Sequence, residues 1–103
     1  MTNTTAPLIL AIDLGTSGPK VALATAQGQI IAAEIGQTEV ILLPGGGAEQ
    51  DPDAWWRAIT ACVKRLLGNT AVSSAQITAV CRTSQWSGAV PVDRDGRHLH
   101  NAI

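Results

Sequence analysis

The continuous apolar run Leu8-Ile9-Leu10-Ala11-Ile12 ends in a carboxylate, Asp13, and passes directly into Leu14-Gly15-Thr16-Ser17-Gly18-Pro19-Lys20. Apolar residues without alternation predict a strand covered on both faces near the middle of a sheet. A charged Asp13 at the exit of such a strand requires water, a cation or hydrogen-bond donors, because an unpaired buried carboxylate is prohibitively costly. Gly15 and Gly18 let the backbone turn sharply and approach a ligand closely, while Thr16, Ser17 and Lys20 supply hydroxyls and a cation for phosphate oxygens. The spacing suggests a strand-turn-strand phosphate loop, with magnesium as a partner for Asp13. It is not a Walker A loop, since Pro19 separates Gly18 from Lys20 and Val21 follows, and it is not a dinucleotide fingerprint.

Two further segments carry signal. In Glu49-Gln50-Asp51-Pro52-Asp53-Ala54-Trp55-Trp56, Asp51 suits an N-cap, Pro52 the first helical position and Asp53 the positive end of the helix dipole. Trp55, Ile59, Cys62 and Leu66 recur at helical spacing, with Trp56, Val63 and Leu67 alongside, which predicts a helix over 52–67 whose apolar face packs on a sheet. Gly68 is expected to end it, with Lys64 and Arg65 in the last turn. The other segment, Ile77-Thr78-Ala79-Val80-Cys81, is a second apolar strand, and it exits into the polar loop Arg82-Thr83-Ser84-Gln85-Trp86-Ser87-Gly88.

Between these segments, residues 20–25 and 30–35 read as strands joined by a short loop at Gln27-Gly28, and 38–43 as a further strand closed by the flexible loop Pro44-Gly45-Gly46-Gly47. Residues 89–92 and 97–99 flank the hairpin turn Asp93-Arg94-Asp95-Gly96. Its aspartates lack the other ligands of a calcium loop, so a solvated turn is expected. The fold class is α/β. Consecutive early strands are antiparallel, and a strand-helix-strand crossover returns the last one parallel to the first.

The string Asp13-x-Gly15-Thr16-Ser17-x-x-Lys20 resembles the opening of the FGGY carbohydrate kinases, and its first part is shared by the wider actin, Hsp70 and hexokinase superfamily. Residues 49–56 resemble the Glu-Gln-Asp-Pro-x-x-Trp-Trp segment of xylulokinase-like members. The 77–88 segment resembles the family's sugar-contacting strand end. The resemblance implies a partial ribonuclease H-like domain, a mixed sheet with a helix packed on it, in which the first strand and that of residues 77–81 lie side by side. Asp13 and Gln85 then emerge at one edge, where open α/β sheets bind ligands.

It also implies ATP and Mg2+ as cofactors, with Asp13 toward the metal and Gly15, Thr16, Ser17 and Lys20 toward the nucleotide phosphates. Gln85, Trp86 and Ser87 occupy polyol-reading positions. Xylulokinase-like members carry Gln-Met-His-Gly there and glycerol kinases Gln-Arg-Glu, so Trp86 and Ser87 depart from both patterns. Trp86 is suited to stack on an apolar sugar face, and Gln85 and Ser87 to hydrogen-bond hydroxyls.

At 103 residues the chain has room for one small core. The resemblance makes residues 1–103 the amino-terminal part of the first kinase domain, with the catalytic-base segment and second domain outside it, so these residues alone are expected to be inactive. The formal net charge is −1 with no basic stripe, which gives no footprint for nucleic acid. Cys62 and Cys81 are too isolated for a zinc pattern and are expected as two buried thiols. There is no membrane-length apolar run and no signal-like start, so a cytoplasmic protein is expected. The expected partners are ATP and a small sugar or polyol, with self-association possible through unpaired strand edges. A non-catalytic nucleotide-binding or assembly module with the same phosphate loop is the alternative.

Overall fold

The computed structural model describes residues 6–103. Strands β1 (Leu8–Gly15), β2 (Gly18–Thr25) and β3 (Ile30–Ile35) form an antiparallel meander. A small hairpin, β4 (Ile41–Leu42) and β5 (Ala48–Glu49), leads into helix α1 (Pro52–Gly68). A single 3-10 turn over Ser74–Gln76 then delivers β6 (Ile77–Ser84), which lies parallel to β1. The sheet order is β3-β2-β1-β6, so the first and last strands are neighbours, as the crossover pattern requires.

Helix α1 begins where its sequence dictates. The Asp51 side chain accepts from the Asp53 amide at 2.9 Å, and Pro52 occupies the first position, where a missing N–H costs nothing. At the other end the Asn69 amide donates to the Arg65 carbonyl, and the backbone of Gly68 stays out of the left-handed region, so the stop is a capped end rather than a glycine reversal. Arg65 ties this end to β3: its guanidinium donates to the Ile35 carbonyl at 3.2 Å and lies 3.5 Å from the Glu34 carboxylate.

The helix packs on β2 and β3. Leu10, Val21, Leu23, Cys62 and Leu66 form the buried cluster, with Ile12, Ile31, Val63, Leu67 and Ile77 against it. Period-two alternation sends Ile9, Ala11 and Asp13 of β1 to the opposite face, in register with Ala24, Ala22 and Lys20 of β2. That face is uncovered among the described residues. Three expectations therefore change. Strand β1 is central but covered on one face only; Cys81, in register with Ala11, is exposed while Cys62 is buried; and Trp56, one helical step from the half-buried Trp55, turns outward at 68% exposure.

The Pro44–Gly47 segment also differs from a flexible connection. Left-handed Gly45 and Gly46 close a tight turn, with the Leu43 amide donating to the Gly47 carbonyl at 2.8 Å, and only Ile41–Leu42 of the expected 38–43 strand pairs. The last segment folds back on the helix start. The Gln50 and Ala102 backbones bridge, His98 and His100 lie 3.8 and 3.7 Å from the carboxylates of Asp53 and Glu49, and the Asn101 amide donates to Glu49 at 3.1 Å. Asp93 serves its own turn, accepting from the amides of Asp95 and Arg97, which matches a solvated hairpin.

The open sheet face and the edge strand β6, where Val80 is exposed, present unpaired backbone and apolar surface. A polypeptide of residues 1–103 alone is expected to self-associate. Light scattering on the purified polypeptide checks this, and a monodisperse monomer with a cooperative melt would refute it.

Candidate functional site

Strands β1 and β2 meet across the two-residue loop Thr16-Ser17, with Gly15 paired to Gly18. The loop is held from below by the segment after β3. The Ser17 carbonyl accepts from the Thr38 amide at 3.0 Å and the Pro19 carbonyl from the Gly36 amide at 2.8 Å. Gly18 has φ +143, and a Cβ there would stand 2.3 Å from the Gly36 carbonyl oxygen. Its lack of a side chain therefore serves a close approach of the chain to itself. Gly15 has no such constraint: its φ is ordinary and a Cβ would meet the Gly18 carbonyl oxygen at 3.5 Å.

Beyond the last paired residues, the Gln85 amide donates to the Leu14 carbonyl at 2.8 Å, extending the parallel pairing so that the 85–88 loop emerges beside Thr16. The side chains then close a ring. Thr16 Oγ1 donates to Gln85 Oε1 at 2.9 Å, Gln85 Nε2 donates to Gln50 Oε1 at 2.8 Å, and Gln50 Nε2 donates to the Thr16 carbonyl at 2.9 Å. Trp55 Nε1 adds a second donor to Gln50 Oε1 at 3.3 Å. Gln50 is 6% exposed, a buried polar side chain at the helix start. The sequence reading gives residues 49–53 to a helix start and Gln50 no role of its own. The available signal was an uncharged amide immediately before an N-cap, where the chain turns inward.

Thr16, Gln50, Trp55, Gln85, Trp86 and Ser87 line a cavity of about 200 Å³. That is below the ~300 Å³ of ordinary ligand pockets. Trp86 is 90% exposed at its rim, free to cover a ligand, and Ser87 takes the left-handed conformation at φ 65, a strained geometry for a residue other than glycine.

The other predicted residues sit elsewhere. Asp13 and Lys20 are register partners on the open sheet face, where with Ala22, Ala33 and Thr83 they line a separate depression of about 420 Å³. Ser17 faces the 35–40 segment. Thus Thr16 joins the Gln85 loop directly, whereas Asp13 and Lys20 adjoin it across the sheet's carboxyl edge. Asp13 is exposed and has no ion-pair partner among the described residues. Thr83 is its register partner on β6, and a carboxylate next to a hydroxyl is oxygen chemistry that fits a hard cation such as magnesium.

The two glycines of the loop should respond differently to substitution. Gly18→Ala is expected to destabilise by at least ~1 kcal/mol from backbone strain alone, with the clash in addition, while Gly15→Ala stays near neutral. Thermal unfolding of both variants at one protein concentration checks this, and equal effects would contradict the loop geometry.

Comparison with known proteins agrees with this architecture. The chain is 33% identical over 96 residues to the xylulose kinase of Escherichia coli (strain K12), covering 93% of this chain and 19% of that protein. The crystal structure of a xyloylose kinase from Brucella ovis superposes with a TM-score of 0.87 at 30% identity, over 93% of this chain and 20% of that one. The Plasmodium falciparum glycerol kinase solved with ADP superposes with a TM-score of 0.81 at 26% identity, over 100% of this chain and 21% of that one. The chain spans about a fifth of the length of the relatives it matches, and its mixed sheet and packed helix are those of an actin-like ATPase fold, as the ribonuclease H-like expectation had it. Residues 8–103 match the FGGY family of carbohydrate kinases, N-terminal domain, and the chain belongs to that family.

Proposed function

We propose that residues 1–103 are the amino-terminal part of the first domain of an ATP-dependent sugar or polyol kinase, contributing its phosphate loop and one wall of its polyol site. The observation that carries this reading is the hydrogen-bonded ring joining Thr16 of the β1–β2 loop to Gln85 of the loop after β6. Phosphoryl transfer needs a donor and a receiving hydroxyl held in line, with little covalent help from the protein, and this ring holds two loops of different function in fixed relation. The names of the relatives, xylulose kinase and glycerol kinase, and the ADP in one of the similar structures support the same reading.

In this reading Asp13 would hold magnesium, which when bound would supply charge neutralisation for the nucleotide phosphates. Gly15, Thr16 and Ser17 cradle the phosphates, and Lys20, beside Asp13, adds positive charge. Gln85 and Ser87 hydrogen-bond hydroxyls of the sugar or polyol, and Trp86 covers its apolar side. No residue of the chain is assigned as the base that takes the hydroxyl proton, so residues 1–103 alone are expected to transfer no phosphate. No helix among the described residues is long and apolar enough to cross a membrane, which accords with a proposed cytoplasmic location.

The test uses a full-length protein carrying this chain. Asp13→Asn is expected to lower turnover at least tenfold and to weaken its magnesium dependence, with little change in the Michaelis constant for the sugar; steady-state kinetics across magnesium concentrations check this, and near-normal turnover would remove Asp13 from the site. A panel of pentuloses, hexuloses and polyols assayed for ATP consumption is expected to show low efficiency on xylulose and on glycerol, because Trp86 and Ser87 match neither pattern. In that panel Trp86→Ala should raise the Michaelis constant of the best substrate more than that of ATP. ATP binding without consumption on any panel member would favour a non-catalytic module.

A further inference from the structure

The ring of Thr16, Gln50 and Gln85 admits one set of hydrogen-bond directions. The indole N–H of Trp55 can only donate, so the Gln50 atom facing it is the amide oxygen; the Thr16 carbonyl can only accept, so the Gln50 atom facing it is the amide nitrogen. Two groups of fixed polarity thus agree on the orientation of one buried amide. Gln50 Oε1 then faces Gln85 and requires the Gln85 NH2, which turns Gln85 Oε1 toward Thr16. Since Gln85 Oε1 can only accept, the 2.9 Å contact consumes the single hydrogen of the Thr16 hydroxyl.

This has a consequence for the phosphate loop. A nucleotide phosphate oxygen at neutral pH is an acceptor, so the Thr16 hydroxyl can serve it only by taking its hydrogen away from Gln85. The Gln85 oxygen, held in place by Gln50, then loses its protein donor in an exposed contact and turns to water or to another hydroxyl. A sugar or polyol hydroxyl entering the cavity beside Trp86 can supply that donor. Resting on the kinase reading above, we propose that Gln50 is a positioning residue that locks the Gln85 amide, so that one hydroxyl hydrogen of Thr16 links the phosphate and polyol sites and makes the two ligands bind cooperatively. Gln50, with both side-chain polar atoms already engaged by protein groups, acts through Gln85. If it no longer fixed the amide, Gln85 could rotate its NH2 toward Thr16, and the hydroxyl would be free to turn to the phosphate whether or not the polyol was present.

The test measures the dissociation constant of MgADP by calorimetry on a full-length protein carrying this chain, with and without the panel substrate of highest turnover. The expected result is that the substrate tightens MgADP roughly fivefold or more. Thr16→Ser, which keeps the hydroxyl, should preserve that ratio, and Thr16→Val should bring it to about one. Gln50→Met, of similar length but without hydrogen-bonding atoms, should also bring the ratio to about one while leaving MgADP affinity without substrate unchanged or tighter. General loosening of the site would instead weaken both affinities together and leave the ratio intact, which would overturn the inference. A ratio of one in the unmodified protein, with both ligands bound and turnover normal, would overturn it and leave the kinase reading standing, whereas no MgADP binding would remove both. Should Gln50→Met fail to fold, the Thr16 pair, at an exposed position, decides alone.

Discussion

A carboxamide removed from water must find partners for its oxygen and its nitrogen, and leaving a buried polar atom without one costs ~1–3 kcal/mol. Gln50 meets this demand with two donors on its oxygen, Trp55 and Gln85, and with the Thr16 carbonyl on its nitrogen, the Glu39 carbonyl standing further off at 3.5 Å. Its backbone meets the same demand by exchanging two hydrogen bonds with Ala102. One residue therefore ties together the β1–β2 loop, the segment after β3, the helix start, the loop after β6 and the final segment. Satisfaction of a single buried side chain joins these segments at the carboxyl end of β1 and β6.

The sheet supplies the frame on which that residue acts. Pairing of β1 with β2 brings Asp13 and Lys20 together, and parallel pairing of β1 with β6 carries the Gln85 loop to the same end. Helix α1 covers the Val21 and Leu23 side, and the close seat of Gly36 against the Cys62 sulfur, where a Cβ would lie 2.8 Å away, sets how near the helix comes to the sheet. The sharp turn at Gly18 is braced by the backbone at 36–37.

The sequence was most legible where a local rule acts alone. The Asp51-Pro52-Asp53 start, the hairpin signals and the apolar strands at 8–12 and 77–81 specify elements by cap chemistry, turn chemistry and periodicity, and the elements stand there. What sequence could not resolve was tertiary partnership. Nothing local distinguishes Trp55, drawn inward by the Gln50 oxygen, from Trp56, one step around the helix in solvent. The apolar run of β1 suggests two covered faces, but coverage depends on chain segments that approach from elsewhere. Gly15 and Gly18 read alike as turn residues, although only Gly18 has backbone pressed against its α-carbon. Gln50 was hidden within a helix-start motif because its meaning lies in residues 34 positions before it and 35 after it.

The two cysteines mark the two sides of the sheet. Cys62 lies sealed between α1 and Gly36, while Cys81 stands on the open face next to Ala11, two residues along β6 from Thr83 and the neighbourhood of Asp13. A thiol-reactive probe therefore has one address in the folded chain, and it lies on the surface that any covering segment must occupy. Protection of that sulfur becomes a chemical gauge of whether the face is covered, readable without any assay of turnover.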